Sequence, residues 1–116
     1  MVGIDIIDVN KIRKLIDKWG EKFINRVFSR AEQDYCEEKK NKFQCYAVRF
    51  AAKESFYKAY NHLYGWKALE IITKGTTPYI RVLNESLRDE IKKYKINLSI
   101  SHIENIGIAL VILTVK

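Results

Sequence analysis

The sequence predicts an α+β domain in which helices pack on a mostly antiparallel sheet. Three observations lead there. A β-rich run, VGIDII (2–7), opens the chain; from about Asp8 to about residue 63 the apolar residues recur at helical spacing; and from Leu69 onward β-rich runs return, interrupted by one short helical pattern. At 116 residues, 47% of them hydrophobic and 30% charged, the chain is expected to form one domain, 1–116, with a core of its own.

Residues 2–7 form a short β-rich run and read as a strand. Val9, Ile12, Leu15, Ile16 and Trp19 then mark the buried stripe of a helix, with Asp8 or Asn10 placed to cap it and Gly20 to stop it. Phe23, Ile24 and Val27 predict a short second helix. SRAE (29–32) has the Ser-x-x-Glu form of a capping box and opens a third, which fades into the charged EEKKNK stretch. A long helix is expected from roughly 42 to 63. Phe43, Ala47, Phe50, Ala51, Glu54, Tyr57 and Lys58 fall on one side of it; Cys45, Val48, Ala52, Phe56 and Ala59 fall on the other. Apolar on both sides, it reads as a central element. Leu69–Thr73 and Tyr79–Leu83 predict strands joined by a turn through GTTP (75–78), and Asn84 caps a helix through Leu87 and Ile91. INLSISH (96–102) and IGIALVILTV (106–115) predict a closing hairpin that turns near Glu104 and Asn105.

The net charge is +7, from 21 basic and 14 acidic side chains, which favours an acidic partner: nucleic acid, an anionic membrane surface, a phosphorylated small molecule or an acidic protein. Cys36 and Cys45, nine residues apart, lack the paired spacing of a zinc site. They are expected as free thiols, with a disulfide as the alternative. The charged N-terminus has no signal-peptide core, and no run has the length of a membrane span, so the expected location is cytoplasmic.

Three segments could carry chemistry: GID (3–5), KESFYK (53–58) and SISH (99–102). Alone, each has an ordinary structural reading. Asp5 could cap a strand end, Glu54 and Lys58 could form an i,i+4 helix pair of roughly 0.2–0.5 kcal/mol, and His102 could be a half-buried structural residue. Together they describe something else. Asp5 and Glu54 are carboxylates in apolar settings on different elements, and bringing them together would be costly unless a cation lay between them. Mg²⁺ favours such oxygen ligands and completes its octahedron with phosphate oxygens and water. Lys58, Arg49 and His102 suit phosphate oxygens. The set predicts metal-assisted chemistry on a phosphorylated ligand.

GIDI at the N-terminus, RFAAKESFYKA some forty residues on and SISH before the last strand resemble the 4′-phosphopantetheinyl transferases, in particular the small holo-[acyl-carrier-protein] synthase type. The resemblance runs nearly the whole length, and the GID and FAAKESFYK segments are specific in combination. It implies the 4′-phosphopantetheinyl transferase-like fold and transfer of the phosphopantetheine arm of coenzyme A to a serine of apo acyl carrier protein. Adenosine 3′,5′-bisphosphate would be released, in support of fatty acid biosynthesis. It implies that Asp5 and Glu54 hold Mg²⁺ with the coenzyme A diphosphate. Glu54 would help deprotonate the serine, directly or through water, and Lys58 would steady the phosphate or leaving group. Arg49 and His102 would contact the adenosine 3′-phosphate region. A homotrimer is implied too, with coenzyme A in clefts between subunits. The chain departs from the family pattern at YNHLYGWKALEI (60–71), where a Gly-rich loop is usual and only Gly65 stands, and at GTTP, where Gly-Lys-Pro is usual. Neither departure touches the expected metal ligands.

Lys11, Arg13, Lys14 and Lys18 crowd the first helix, and Lys22 and Arg26 continue the basic surface. Charge alone leaves open a solvated face; the resemblance favours a dock for an acidic carrier protein. A small nucleic-acid-binding module is the competing reading from another class, using the positive charge and Tyr57, Tyr60 and Tyr64. Against it, the basic residues are dispersed, no nucleic-acid motif is present, and Asp5 and Glu54 would be liabilities. A non-catalytic scaffold is a third reading, weakened by the intact metal and phosphate positions.

Overall fold

In the computed structural model, which describes residues 1–116, strand β1 (Val2–Asp8) runs directly into helix α1 (Val9–Trp19). Asp8 makes that transition, its carboxylate accepting from the Asn10 N–H at 2.9 Å; Asn10 is not the cap. Val9 and Ile12 are buried as the stripe requires, but Trp19 is 51% exposed because α1 ends at Gly20 before its last turn is covered. After α2 (Glu21–Val27), Ser29 and Glu32 exchange both bonds of the expected capping box and open α3 (Arg30–Glu37). Helix α4 (Lys42–Tyr60) is capped by Asn41 and stops short of residue 63, where Asn61 takes left-handed backbone (φ 62°).

The chain reverses between α3 and α4 through residues 38–41, which sets the last turn of one helix against the first turn of the other. Cys36 and Cys45 occupy those facing turns and are joined by a disulfide, Cα atoms 5.4 Å apart. The expectation of free thiols is corrected accordingly. Sequence spacing alone could not show it, since the pairing depends on where the reversal falls.

Strands β2 (Leu69–Lys74) and β3 (Thr77–Val82) follow; β3 starts inside the segment expected as turn, leaving Gly75 (φ 63°) to reverse the chain. Asn84 caps α5 (Glu85–Ile91), and β4 (Tyr94–Ile103) and β5 (Ile106–Val115) form the closing hairpin. All pairing is antiparallel, but it is divided between two sheets: β1-β5-β4 and β2-β3.

Helix α4 is the central element its two apolar sides predict. Its sheet-facing side lies on β1 and β5 so closely that a Cβ on Gly3 would overlap the Ser55 carbonyl and stand 2.7 Å from the Ala59 nitrogen. Gly107 is pressed in the same way by Val48, whose Cγ1 would lie 2.8 Å from an added Cβ. Ser55 Oγ lies 3.0 Å from the Ala109 carbonyl and 2.8 Å from that of Ala51, stitching helix to sheet. On the far side of α4 the fully buried Lys53 ammonium donates to Glu32 Oε1 (2.8 Å) and to the Val27 carbonyl (2.7 Å). Glu32 also accepts from the Ile71 N–H at 2.9 Å, so one carboxylate joins α3, α4 and β2. No helix is long and apolar enough to cross a membrane.

Candidate active site

The close approach at Gly3 determines what stands beside α4. Gly3, Asp5 and Ile7 share one face of β1, so the residue two beyond the glycine is carried to the flank of the helix. There Lys58 Nζ donates to Asp5 Oδ1 at 2.9 Å and to the Ile4 carbonyl at 3.0 Å. Glu54, one turn earlier on the same side of α4, completes the group. Burial raises its pKa above the ordinary carboxylate range; the charge of Asp5 adds to that and Lys58 opposes it. The ordinary i,i+4 pairing of Glu54 with Lys58 is therefore not what the lysine does: it turns to Asp5. Glu54 also borders a cavity of about 250 Å³ with Tyr57, Leu63, Gly65 and Trp66. The Tyr57 hydroxyl donates to the Gly65 carbonyl at 2.6 Å and pins that loop beside Glu54.

Arg49 and His102 meet on the opposite flank. Arg49 is five residues before Glu54, which turns it about 140° around the helix axis. His102 is on β4, the other outer strand of the sheet. Both line a cavity of about 370 Å³ with Tyr35, Lys39, Lys40, Asn41, Gln44, Cys45 and Val48. Arg49 Nη2 donates to Thr73 Oγ1 at 2.8 Å, its guanidinium lies 4.5 Å over the Tyr35 ring, and its buried Nε has no partner. Burial pulls its pKa down, with Tyr35 and Glu32 opposing. Tyr35, Lys39 and Lys40 were not legible as site residues, because the EEKKNK run reads as a solvated stretch until the reversal between α3 and α4 folds it over Arg49.

The basic residues expected to form a dock are all exposed, but they do not make one patch. Lys11, Lys14 and Lys18 recur along one stripe of α1. Lys22 and Arg26 edge a groove of about 340 Å³ floored by Leu15, Trp19 and Phe23. Arg13 points elsewhere, its guanidinium 4.5 Å over the Phe43 ring beside Lys39, Lys40 and Lys42. An aromatic row connects the groove to the Glu54 cavity: Phe23 lies 6.3 Å from Phe50, which stacks on Trp66 at 4.8 Å.

An ammonium on one flank, and an arginine, a histidine and lysines on the other, suit a ligand with several phosphates; the two carboxylates suit it only with a cation between. Comparison with known proteins points the same way. The family model of the 4′-phosphopantetheinyl transferase superfamily matches residues 1–111. The holo-[acyl-carrier-protein] synthase of Halothermothrix orenii is 42% identical, with 96% of this chain and 94% of that protein aligned. The crystal structure of the Helicobacter pylori holo-[acyl-carrier-protein] synthase in complex with coenzyme A superposes with a TM-score of 0.87 at 27% identity, covering 98% of this chain and 100% of that one. That of Bacillus anthracis, in complex with CoA (3′,5′-ADP), gives 0.81 at 26% identity, covering 99% and 96%.

Proposed function

Since the chain belongs to the 4′-phosphopantetheinyl transferase superfamily, we propose that residues 1–116 act as one holo-[acyl-carrier-protein] synthase domain in the cytoplasm. It transfers the 4′-phosphopantetheine group of coenzyme A to a serine of apo acyl carrier protein, releases adenosine 3′,5′-bisphosphate and supports fatty acid biosynthesis. The observation that carries this reading is the convergence of Asp5, Glu54 and Lys58 where β1 crosses α4.

The donor set fits Mg²⁺. Asp5 and Glu54 are oxygen donors from two elements, close enough for the charge of one to raise the pKa of the other, and a hard divalent cation relieves that repulsion. Mg²⁺ held by the two carboxylates and the coenzyme A diphosphate would polarise the phosphate and offset its developing charge. Glu54 accepts the serine proton, directly or through a water: its raised pKa makes the carboxylate a better proton acceptor, and it borders a cavity beside Leu63 and Trp66. Lys58 is free to move from Asp5 to a phosphate oxygen, being half exposed. Arg49 and His102, which line one cavity with Lys39 and Lys40, receive the adenosine 3′-phosphate region.

Two features support a homotrimer with coenzyme A between subunits. In one chain the Glu54 and Arg49 groups face away from each other across α4, with Asp5 and His102 on the two outer strands, which lie roughly 10 Å apart, and two residues out of register. The sheet face turned away from α4 is apolar: Val2, Ile4 and Ile6 are each more than half exposed, in register with Ile112, Leu110 and Ile108. Carrier protein docks on the stripe of Lys11, Lys14 and Lys18 and the groove edged by Lys22 and Arg26, from which the aromatic row leads to Glu54. Arg13 adds to the basic surface from the Phe43 side.

The test is direct. The protein, coenzyme A, Mg²⁺ and an apo acyl carrier protein are incubated, and the carrier serine is examined by mass spectrometry. Phosphopantetheine on that serine supports the reading; an unmodified carrier in every condition would reject it.

A further inference from the structure

The disulfide between Cys36 and Cys45 is not needed by the transfer chemistry, yet it sits where the ligand's phosphate is read. It closes residues 37–44 into a loop that carries Lys39, Lys40 and Asn41 into the Arg49–His102 cavity. The same loop is held against the β4–β5 turn by Gln44 Nε2, 3.3 Å from the Glu104 carbonyl. Arg49 rests on the cystine itself, with Nη1 3.3 Å from Cys45 Sγ and 3.4 Å from the Cys45 carbonyl. Cys36 is wholly buried, whereas Cys45 lines the cavity, so Cys45 is the half of the cystine nearer a reagent that enters it. A disulfide in a reducing compartment is characteristically a regulatory one rather than a permanent staple.

We infer that Cys36–Cys45 is a thiol–disulfide exchange site, used by a dithiol reductant, whose oxidation state sets the affinity of the Arg49–His102 cavity for coenzyme A. A thiolate of the reductant attacks Cys45 Sγ, forming a mixed disulfide, and Cys36 leaves as a thiolate that takes up a proton. The second thiol of the reductant then attacks its own mixed-disulfide sulfur, and Cys45 leaves. Two electrons and two protons pass to the protein, and the reductant becomes a disulfide. Two consequences follow for the cavity. The reversal bearing Lys39 and Lys40 loses the covalent cross-link between α3 and α4 and is left to the bonds of Glu37 with Tyr46 and Lys42. Reduction frees the Cys45 sulfur as a stronger acceptor for the Arg49 Nη1 that already rests 3.3 Å from it, which holds the guanidinium more firmly to its own helix and away from the ligand phosphate. Oxidised protein therefore holds coenzyme A; reduced protein holds it less well.

This rests on reading that cavity as the site of the adenosine end of coenzyme A, and the experiment separates the two. Coenzyme A affinity is measured by calorimetry, with Mg²⁺, on protein oxidised in air and on the same protein reduced with dithiothreitol, each state checked by thiol counting. The expected result is binding roughly tenfold weaker after reduction, the scale of one charge-assisted hydrogen bond, restored on reoxidation. Cys36→Ser, which leaves the cavity-lining sulfur in place, should bind like the reduced protein and ignore dithiothreitol; Cys36→Ala serves if the serine does not fold. Equal affinity in both states of the parent, or two free thiols in air-oxidised protein, would overturn the switch alone. No coenzyme A binding in either state would overturn the functional reading and the switch with it.

Discussion

Lys58 passes over Glu54, its neighbour one turn away on α4, and places its ammonium 2.9 Å from the carboxylate of Asp5 on β1. With the lysine half exposed, this bond adds little to stability. Its effect is to fix Asp5 and Lys58 at a single point beside Glu54, and that placement depends on how closely strand and helix approach.

Gly3 sets the approach. Gly3→Ala puts a methyl group into the Ser55 carbonyl and near the Ala59 nitrogen, both helix backbone that cannot step aside. The expected outcome is a stability loss of about 1–3 kcal/mol or more in urea denaturation, the scale of overpacking. Transfer activity should fall further than the folded fraction does, because Asp5 is pushed away from Glu54. A variant as stable and active as the parent would show that the strand can shift freely.

Lys53 is a different kind of lysine from its neighbour four positions on. Fully buried, its ammonium donates to Glu32 and to the Val27 carbonyl and lies 5.5 Å over the Phe28 ring. Lys53→Met should leave Glu32 buried with the Ser29 and Ile71 N–H groups but no countercharge, at a cost of about 3–5 kcal/mol. Lys53→Met with Glu32→Gln together should recover part of that loss. Chemical denaturation of the two variants measures both.

Tyr57 gives a pH signature. Burial pushes its hydroxyl pKa up to about 12 from an ordinary 10.0. The folded protein thus keeps that proton where the unfolded chain releases it. The associated stability is present in full below pH 10 and is lost as pH rises toward about 12. Tyr57→Phe, which also loses the bond to the Gly65 carbonyl, should be less stable at neutral pH by about 1 kcal/mol. Its denaturation midpoint should fall less steeply than the parent's across that alkaline window; parallel curves would contradict the assignment.

Carrier recognition should respond to charge on α1. Lys14→Glu with Lys18→Glu is expected to slow association with an acidic carrier protein, and the difference from the parent should shrink as salt is added. Stopped-flow association rates at two ionic strengths measure this. Unchanged rates at low salt would move the dock away from this stripe.

What the sequence discloses divides along physical lines. Local rules were enough for the Ser29–Glu32 capping box, the Asn84 cap, the α4 helix with two apolar sides and the closing hairpin, because each is decided within a few residues. The pairing of GID with KESFYK could be anticipated because two carboxylates in apolar settings need a shared reason. Long-range placements were hidden. Glu32 reads as a capping residue, and only packing makes it the partner of Lys53 and Ile71. Trp19 fits a buried stripe by spacing, yet no element lies over it. The joining of Cys36 to Cys45, and the folding of Lys39 and Lys40 over Arg49, depend on the reversal at 38–41, which has no periodic signal.

The central claim is that Asp5 and Glu54 work as a pair, and the transfer assay on Glu54→Gln tests it most directly. The substitution keeps side-chain volume, removes the charge that burial and Asp5 already disfavour, and should leave a folded protein by circular dichroism. Coenzyme A, saturating Mg²⁺ and apo carrier protein are supplied, and phosphopantetheine on the carrier serine is followed by mass spectrometry. Transfer should drop at least roughly hundredfold, the scale of a lost general base, with Asp5→Asn similarly impaired. Near-parental transfer by Glu54→Gln would contradict the account, since Glu54 would then be neither ligand nor base.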